Sequence, residues 1–300
     1  MMRERSRANW FPMRSKLFVP ASRPDLFPKA MRSAADAVCF DLEDSVLPEQ
    51  KAAARAHVRE FLQSKSSAEK RILVRMNDVR SSFFAEDLTA AVWPAITAVT
   101  VPKVEDPAEI HELAARVLQF EEERGIAEPI GILPTIESPR GLRQAHSIAA
   151  AHPRVVGLQL GLIDLFLPLG ITGNQEQAVH HVRLQLRLAA GEVALPCFDC
   201  IFANYANAEG FAADAAATRS LGFSGKSCIH PSQIATANRI FSPTAEEIAD
   251  ARRVVEGARD ASREGHGAFV LDGRMIDQPM VRHAEQILRL GASCGRDMDA

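Results

Sequence analysis

The chain has 300 residues, of which 47% are hydrophobic and 24% are charged, and its formal net charge is −3. A disordered chain would carry fewer apolar residues and a more one-sided charge, and a nucleic-acid-binding protein usually carries a clear basic excess, so the composition argues against both classes. The length is sufficient for two modest domains or for one large α/β barrel.

The chain begins M-M-R-E-R-S-R-A-N-W-F-P-M, which is basic but lacks the apolar stretch of a secretory signal. No apolar run approaches the roughly 18 residues of a membrane span. The five cysteines, at irregular spacings, favour a reducing cytoplasm over a disulfide framework. We therefore predict a cytoplasmic protein without membrane or nucleic-acid partners. We interpret residues 1–12 as an N-terminal extension that is either disordered or a misassigned start.

Eight short apolar runs rich in β-branched residues alternate along the chain with segments of helical periodicity, as buried parallel strands do. Eight βα units predict an α/β fold, a modified TIM (β/α)8 barrel. A doubly wound sheet is the alternative, but it usually has fewer strands and a Gly-rich first turn, and neither G-x-G-x-x-G nor G-x-x-x-x-G-K-[ST] occurs. The predicted strands are residues 16–20, 37–44, 71–77, 98–104, 131–138, 155–161, 196–202 and 225–231.

After about residue 240 the pattern changes to helices, which a short V-L-D-G-R-M-I-D segment joins. We therefore predict that residues 13–242 form the barrel and that residues 243–300 form a C-terminal helical segment, which we interpret as a lid.

Polar residues close seven of the predicted strands. Active sites of such barrels form at the C-terminal ends of the strands, so these residues are expected to converge on one mouth. They are Asp41, Glu43, Asp44, Arg75, Asn77, Lys103, Glu137, Asp164, Asp199 and His230.

Glu137 and Asp164 follow consecutive predicted strands. Two adjacent carboxylates repel each other unless a cation lies between them. Oxygen ligands suit Mg²⁺, which binds through one or two carboxylates together with substrate oxygens and water. The alternative is that each carboxylate caps a helix or pairs with an arginine, and the spacing alone does not decide between the two interpretations.

Arg75 lies on the strand face that can point toward the barrel mouth. A guanidinium there can hold a carboxylate or a developing oxyanion, or it can form a structural ion pair with the acidic D-L-E-D segment. In that segment Asp41, Glu43 and Asp44 can bind the metal's water molecules or balance Arg75 and Lys103. We favour a supporting role around the metal for these three acids.

A series of motifs occurs in order from about residue 14 to residue 290. They are R-S-K-L-F-V-P-A-S-R-P, F-D-L-E-D-S-V, V-R-M-N, V-P-K-V-E, I-E-S-P-R-G, G-L-I-D-L, L-G-F-S-G-K-x-x-I-H-P-x-Q-I and G-x-M-I-D-Q-P. Together these motifs resemble one known family, the HpcH/HpaI aldolase and citrate lyase β-subunit family, and within it the citryl-, malyl- and citramalyl-CoA lyases. The resemblance implies a modified (β/α)8 barrel, Mg²⁺ with Mn²⁺ as an alternative ion, CoA as part of the substrate, and a homotrimer or hexamer with shared active sites.

Carried over motif by motif, the resemblance implies that Glu137 and Asp164 are the metal ligands and that Arg75 holds the substrate oxygens. It implies that Asp277, in M-I-D, is the acid/base residue and reaches the site from a neighbouring subunit's C-terminal segment. The L-F-V-P-A-S-R-P…K stretch would line the CoA site through Phe18, Arg23 and Lys29.

The implied reaction cleaves a 3-hydroxy-3-carboxyacyl-CoA thioester to an α-keto acid and acetyl-CoA. The leading substrate is (S)-citramalyl-CoA, which gives pyruvate and acetyl-CoA. Ala21 stands where many relatives have glycine, and the bulky Leu-Ile of G-L-I-D also departs from the family, so the substrate is harder to transfer than the chemistry. The alternatives are a malyl-CoA or citryl thioester lyase, a CoA-independent class II aldolase of 2-keto acids, a thioesterase or malate-synthase-like activity, and a non-catalytic subunit that binds an acyl-carrier partner.

Overall fold

A computed structural model describes residues 12–64, 70–172 and 175–295 of the chain. Residues 1–11, which make up most of the predicted N-terminal extension, lie outside the described residues. The chain divides into two compact units, one that extends to Asn238 and one that begins at Arg239.

The first unit contains a closed barrel of eight strands, which follow one another around the barrel in chain order. Neighbouring strands are parallel, and β1 pairs with both β2 and β8. The predicted α/β barrel is therefore confirmed. The strands are β1 (Ser15–Pro20), β2 (Ala37–Asp41), β3 (Arg71–Arg75), β4 (Ala98–Val101), β5 (Gly131–Ile136), β6 (Leu158–Leu160), β7 (Cys197–Asp199) and β8 (Gly225–Cys228).

Helices follow the strands and cover the outside of the barrel, as the βα alternation predicts. They are α1 (Phe27–Met31), α2 (Lys51–Gln63), α3 (Phe84–Ala91), α4 (Pro107–Arg124), α5 (Pro139–Arg143), α6 (Ala145–Ala150), α7 (Leu162–Phe166), α8 (Glu176–Gly191), α9 (Ala208–Ser220) and α10 (Ile234–Ile240).

The strands are buried on both faces because helices cover one face and the barrel interior covers the other. All five residues of β2, A-V-C-F-D, are buried. Most of the predicted strands run on past the observed ones, because the polar residues that close each run form loops at the mouth. Glu43 and Asp44 therefore lie in the loop after β2 rather than on the strand. One core cluster consists of Met13, Ala37, Cys39, Leu73, Ala98, Leu133, Val156 and Phe198.

Local sequence signals set the helix ends. At the start of α4, the Asp106 side chain accepts from the backbone and the Glu109 side chain accepts in return, a capping box, and Pro107 occupies the first turn. The helix ends at Gly125, whose φ of 63° lies in the left-handed region. Residues with a Cβ are disfavoured in that conformation. Such caps hold the loops that carry the polar strand-end residues.

The second unit contains two long helices and a hairpin between them. The hairpin was predicted only as a connecting segment. Asp272 and Gly273 form its turn, with φ values of 51° and 76°. An Asp-Gly pair favours these left-handed conformations, which reverse the direction of the chain. Ile276, Val281 and Ala284 contribute to the core of this unit. The elements are α11 (Ala245–Arg263), β9 (Phe269–Leu271), β10 (Arg274–Ile276) and α12 (Gln278–Ser293).

Within the described part of the chain, none of the helices combines the length and the apolar character required to cross a membrane.

Candidate active site

Arg75, at the end of β3, is paired at two points with Asp41, at the end of the neighbouring β2. Its Nε donates to Asp41 Oδ1 over 2.7 Å and its Nη2 to Oδ2 over 2.8 Å. Burial alone would raise the pKa of Asp41, but the charge and hydrogen bonds of Arg75 outweigh it and hold that pKa below its ordinary value. Asp41 is therefore an ionised partner that fixes the guanidinium plane.

Glu43 joins two cations at the mouth. Its Oε1 accepts from Lys103 Nζ over 2.8 Å, and its Oε2 lies 2.9 Å from Arg75 Nη1. That Oε2 is buried and accepts no well-aligned hydrogen bond among the described residues, so the contact with Arg75 is chiefly electrostatic. Burial raises the pKa of Glu43. Asp44 is 57% exposed and lies 3.9 Å from Arg75, which leaves it in solvent at the rim.

Lys103 contributes its backbone as well as its ammonium group. It follows β4 with a φ of 55°, a left-handed conformation that is uncommon for a residue with a side chain. In this conformation its N–H donates to Glu137 Oε1 over 2.7 Å. The loop after β4 thus aims one donor at each of two carboxylates, Glu43 and Glu137.

Glu137 lies just after β5 and is 5% exposed. The space around its carboxylate depends on Gly161, since a Cβ at that position would overlap Glu137 Oε2. Burial, and then the negative charges of Glu43 and Asp164, raise the pKa of Glu137 to about 8. The Lys103 N–H lowers that pKa only in part. A cation beside this carboxylate would therefore displace a proton.

Asp164 lies in the first turn of α7, directly after β6. Asp164 is partly buried. The two predicted metal ligands are close enough for the negative charge of Asp164 to raise the pKa of Glu137. The described residues contain no group of three or more acidic, histidine or cysteine side chains placed to hold a metal. Two carboxylates completed by substrate oxygens and water still fit a hard divalent cation such as Mg²⁺.

The predicted CoA-site residues occupy β1 and the segment that follows it. The Phe18 ring is half-buried, with Arg75 Cζ 5.1 Å from its centroid. Arg23 is 59% exposed and pairs with Asp25 at 2.8 Å, a partner that the sequence analysis did not identify. Lys29 is exposed on α1. Phe18 therefore contacts Arg75 at the edge of the carboxylate cluster, by which we mean Asp41, Glu43 and Glu137 with the cations that hold them. The two basic residues face solvent.

Asp199 and His230, two further strand-end residues, have contacts of their own. Asp199 was expected at the mouth, but its carboxylate accepts from Arg183 and from Lys226 and is completely buried. His230 is exposed and stacks on Tyr205, with ring centroids 4.8 Å apart. The convergence expected for all seven strand ends is wrong at Asp199, because a basic residue on α8 and one on β8 hold its side chain.

Asp277 lies in the second unit, where it caps α12. Its side chain accepts from the backbone N–H of Met280 over 3.4 Å. The residue is partly buried. The cap explains the local conformation of Asp277, and its acid/base role stays a prediction.

Lys51, which no motif in the sequence singles out, holds the backbone of the acidic loop. Its Nζ donates to the carbonyl groups of Leu42 and Glu43 over 2.8 and 3.0 Å. The only signal was a lysine at the start of K-A-A-A-R, which reads as an ordinary helix residue. Through these two bonds Lys51 fixes the loop that presents Glu43.

Comparison with known proteins gives a consistent set of similarities. The family model for HpcH/HpaI aldolase/citrate lyase matches residues 14–231. The citrate lyase subunit beta of Haemophilus influenzae is 34% identical over 282 residues, which cover 93% of this chain and 97% of the relative. The L-malyl-CoA/beta-methylmalyl-CoA lyase of Cereibacter sphaeroides strain ATCC 17025 is 33% identical over 299 residues, which cover 93% of this chain and 94% of the relative.

Among solved structures, the protein CitE from Mycobacterium tuberculosis in complex with magnesium, acetoacetate and coenzyme A is similar in both sequence and fold. The TM-score is 0.76 at 34% identity, and the match covers 93% of this chain and 97% of that one. The similarity therefore extends over nearly the whole chain.

Proposed function

Since the chain belongs to the HpcH/HpaI aldolase/citrate lyase family, we propose that it is a carbon–carbon lyase that cleaves a 3-hydroxy-3-carboxyacyl-CoA thioester with a bound Mg²⁺ ion. The main support within the chain is Glu137, a buried carboxylate whose pKa the like charges of Glu43 and Asp164 help to raise. Such a site favours a divalent cation over an empty pair of carboxylates.

In this proposal Glu137 and Asp164 hold Mg²⁺, or Mn²⁺ in its place. The structure of the similar CitE protein contains magnesium. When bound, the ion supplies positive charge that polarises the hydroxyl and carboxylate oxygens of the substrate. Gly161 keeps the space beside the Glu137 carboxylate open, and the Lys103 N–H holds one of its oxygens.

Arg75 is the residue to which we assign the substrate oxygens and the developing enolate of acetyl-CoA. Its Nε and Nη2 each donate one hydrogen bond to Asp41, and Glu43 lies beside its Nη1. This pairing orients the guanidinium before substrate arrives, so its remaining N–H groups can stabilise negative charge without reorganisation.

The thioester end of the substrate is assigned to the segment after β1. Phe18 borders the carboxylate cluster, whereas Arg23 and Lys29 are exposed basic residues that suit the phosphates of CoA. Asp277 is assigned as the acid/base residue that takes the substrate hydroxyl proton. We propose that it acts from the C-terminal segment of a neighbouring subunit in a homotrimer or hexamer.

The leading substrate is (S)-citramalyl-CoA, with pyruvate and acetyl-CoA as products. The similar relatives carry the names of a citrate lyase subunit and of a malyl-CoA lyase, so malyl-CoA and citryl-CoA are the competing substrates.

A substrate screen tests the function. The purified chain is assayed with Mg²⁺ and each of the three thioesters, and acetyl-CoA and the keto acid are both measured. The lyase predicts equal amounts of both products, with citramalyl-CoA giving the highest kcat/KM. Free CoA without acetyl-CoA would indicate a thioesterase or a malate-synthase-like enzyme. No turnover of any thioester by the chain alone would contradict the proposed function.

A further inference from the structure

Lys16 is a lysine inside the barrel. It lies on β1, whose neighbours in the barrel are β2 and β8. Its Nζ nevertheless donates to Gln159 Oε1 over 2.7 Å, and Gln159 lies on β6. The side chain must therefore cross the barrel interior to reach a strand that is not adjacent to its own. Lys16 is only 2% exposed.

The positive charge of Lys16 has no negative partner in the part of the chain that the structure describes. Among the described residues no carboxylate forms an ion pair with Lys16. Its Nζ donates to Gln159 Oε1, and Ser227, its neighbour in the β1–β8 register, donates to the same oxygen over 3.4 Å. The charged and titratable groups that act on it are Cys39 on β2 and Arg75 on β3. Burial lowers the pKa of Lys16 to about 8, so the amine is still mostly protonated at neutral pH.

Lys226, on the adjacent strand β8, provides the contrast. It is as deeply buried as Lys16, at 1% exposure. However, its Nζ forms ion pairs with Asp199 and, over 2.7 Å, with Asp214. The same barrel thus contains one buried lysine that two carboxylates neutralise and one that no carboxylate of the described residues neutralises. An uncompensated buried charge lowers stability, so its presence calls for another explanation.

Lys16 contacts both Phe18, on the side of the site assigned to the thioester, and Gln159, on the side assigned to the metal. Its Nζ lies 4.9 Å from the centroid of the Phe18 ring, which Arg75 also contacts. On the other side it holds Gln159, whose Nε2 donates to the carbonyl groups of Leu160 and Asp199 over 3.0 and 2.8 Å. These bonds fix the end of β6.

The end of β6 leads directly into the metal side of the site. Gly161 is the next residue, and it leaves room for the Glu137 carboxylate. α7, which carries Asp164, begins one residue later. Lys16 therefore links the thioester side, through Phe18, to the metal side, through Gln159.

We propose that Lys16 is a positioning residue of the active site, whose unneutralised ammonium group fixes the Phe18 ring and the end of β6 at the expense of stability. This inference rests on the proposed lyase function. Lys16 lies beneath the reacting groups and acts through Phe18 and Gln159 rather than on the substrate.

The experiment compares Lys16→Met with Lys226→Met, because methionine fills a similar volume without charge. Lys16→Met is expected to lower kcat/KM by about tenfold or more while Tm stays unchanged or rises, since a desolvated charge is removed. Lys226→Met is expected to lower Tm by several degrees, because Asp199 and Asp214 lose a buried partner. A purely structural lysine at position 16 would instead lower Tm as Lys226→Met does.

A double-mutant cycle tests whether Lys16 acts through Phe18. Phe18→Leu and Lys16→Met are measured singly and together, and the expected effects on KM for the CoA thioester are clearly less than additive. Additive effects would overturn the inference, as would wild-type kcat and KM in Lys16→Met or a Tm loss equal to that of Lys226→Met. A wild-type chain without turnover refutes the proposed function itself, and that result is obtained before any variant is measured.

Discussion

The backbone N–H of Lys103 donates to Glu137 Oε1 over 2.7 Å, from a left-handed conformation that a lysine rarely adopts. This single bond does not compensate for burial beside two other carboxylates, so Glu137 retains a raised pKa of about 8. The strained loop after β4 therefore orients a carboxyl group that still requires a cation to be ionised at neutral pH.

The first prediction concerns the proton that Mg²⁺ displaces from Glu137. Because the pKa of Glu137 is about 8, Mg²⁺ binding near pH 7 should release roughly one proton. The affinity should then fall by about tenfold for each pH unit below 8. Calorimetric titrations in two buffers of different ionisation enthalpy measure both quantities. Binding without proton release would show that Glu137 is not a ligand.

The same group should make the stability of the metal-free protein depend on pH. The folded state keeps the Glu137 proton up to about pH 8, whereas the unfolded chain releases it near the ordinary value of 4.5. Between these values the folded state binds more protons, so the free energy of unfolding falls as the pH rises. Mg²⁺ should abolish this contribution, and Glu137→Gln should remove it without metal. Melting temperatures across this range, with and without Mg²⁺, provide the measurement.

The second prediction concerns Gly161→Ala. The added Cβ would overlap the Glu137 carboxylate and push it out of place, so Mg²⁺ affinity should fall by about tenfold or more while the barrel still folds. Gly267→Ala is the matched control, since a Cβ at Gly267 meets no atom within 4 Å. Calorimetry gives the affinity and circular dichroism confirms the fold. Equal Mg²⁺ affinities in the two variants would contradict the predicted metal site.

Much of the fold was predictable because its signals are local. The eight apolar runs and their spacing predict the barrel, and the polar residues that close them lead to Glu137, Asp164 and Arg75. Asp199 has the same signal at its strand end, but Arg183 and Lys226 bind its carboxylate. These partners lie on other elements, and no local pattern distinguishes Asp199 from the mouth residues.

The contact between Lys16 and Gln159 could not be predicted from the sequence either, for a different reason. A lysine in the apolar K-L-F-V-P run reads as the polar start of a strand. Only the closed barrel brings β6 within reach of β1 across the interior and gives the Lys16 amine a partner in Gln159. Closure is a property of all eight strands together, so this contact cannot be read from the residues of either strand.

The third prediction concerns CoA recognition. Arg23→Ala or Lys29→Ala should raise KM for a CoA thioester by about tenfold and leave KM for a short thioester without phosphates unchanged, because these exposed cations would bind only the phosphates. Arg116→Ala serves as the control, since Arg116 is an exposed arginine paired with a carboxylate four residues away. Steady-state kinetics with both thioesters provide the measurement. A CoA-independent aldolase would show no effect of either substitution.

The fourth prediction concerns the subunit that supplies Asp277. Asp277→Asn should abolish turnover yet keep α12 capped, because asparagine accepts the same backbone hydrogen bond. If the site is shared, mixing this variant with Arg75→Ala should restore part of the activity, since some sites in the mixed oligomer combine an intact Arg75 with a neighbour's intact Asp277. The assay is turnover after the two inactive proteins are dissociated together and reassembled, with mixed oligomers verified by native mass spectrometry. Each variant reassembled alone is the control and should stay inactive. Verified mixed oligomers without activity would mean that Asp277 acts within its own chain or takes no part in the reaction.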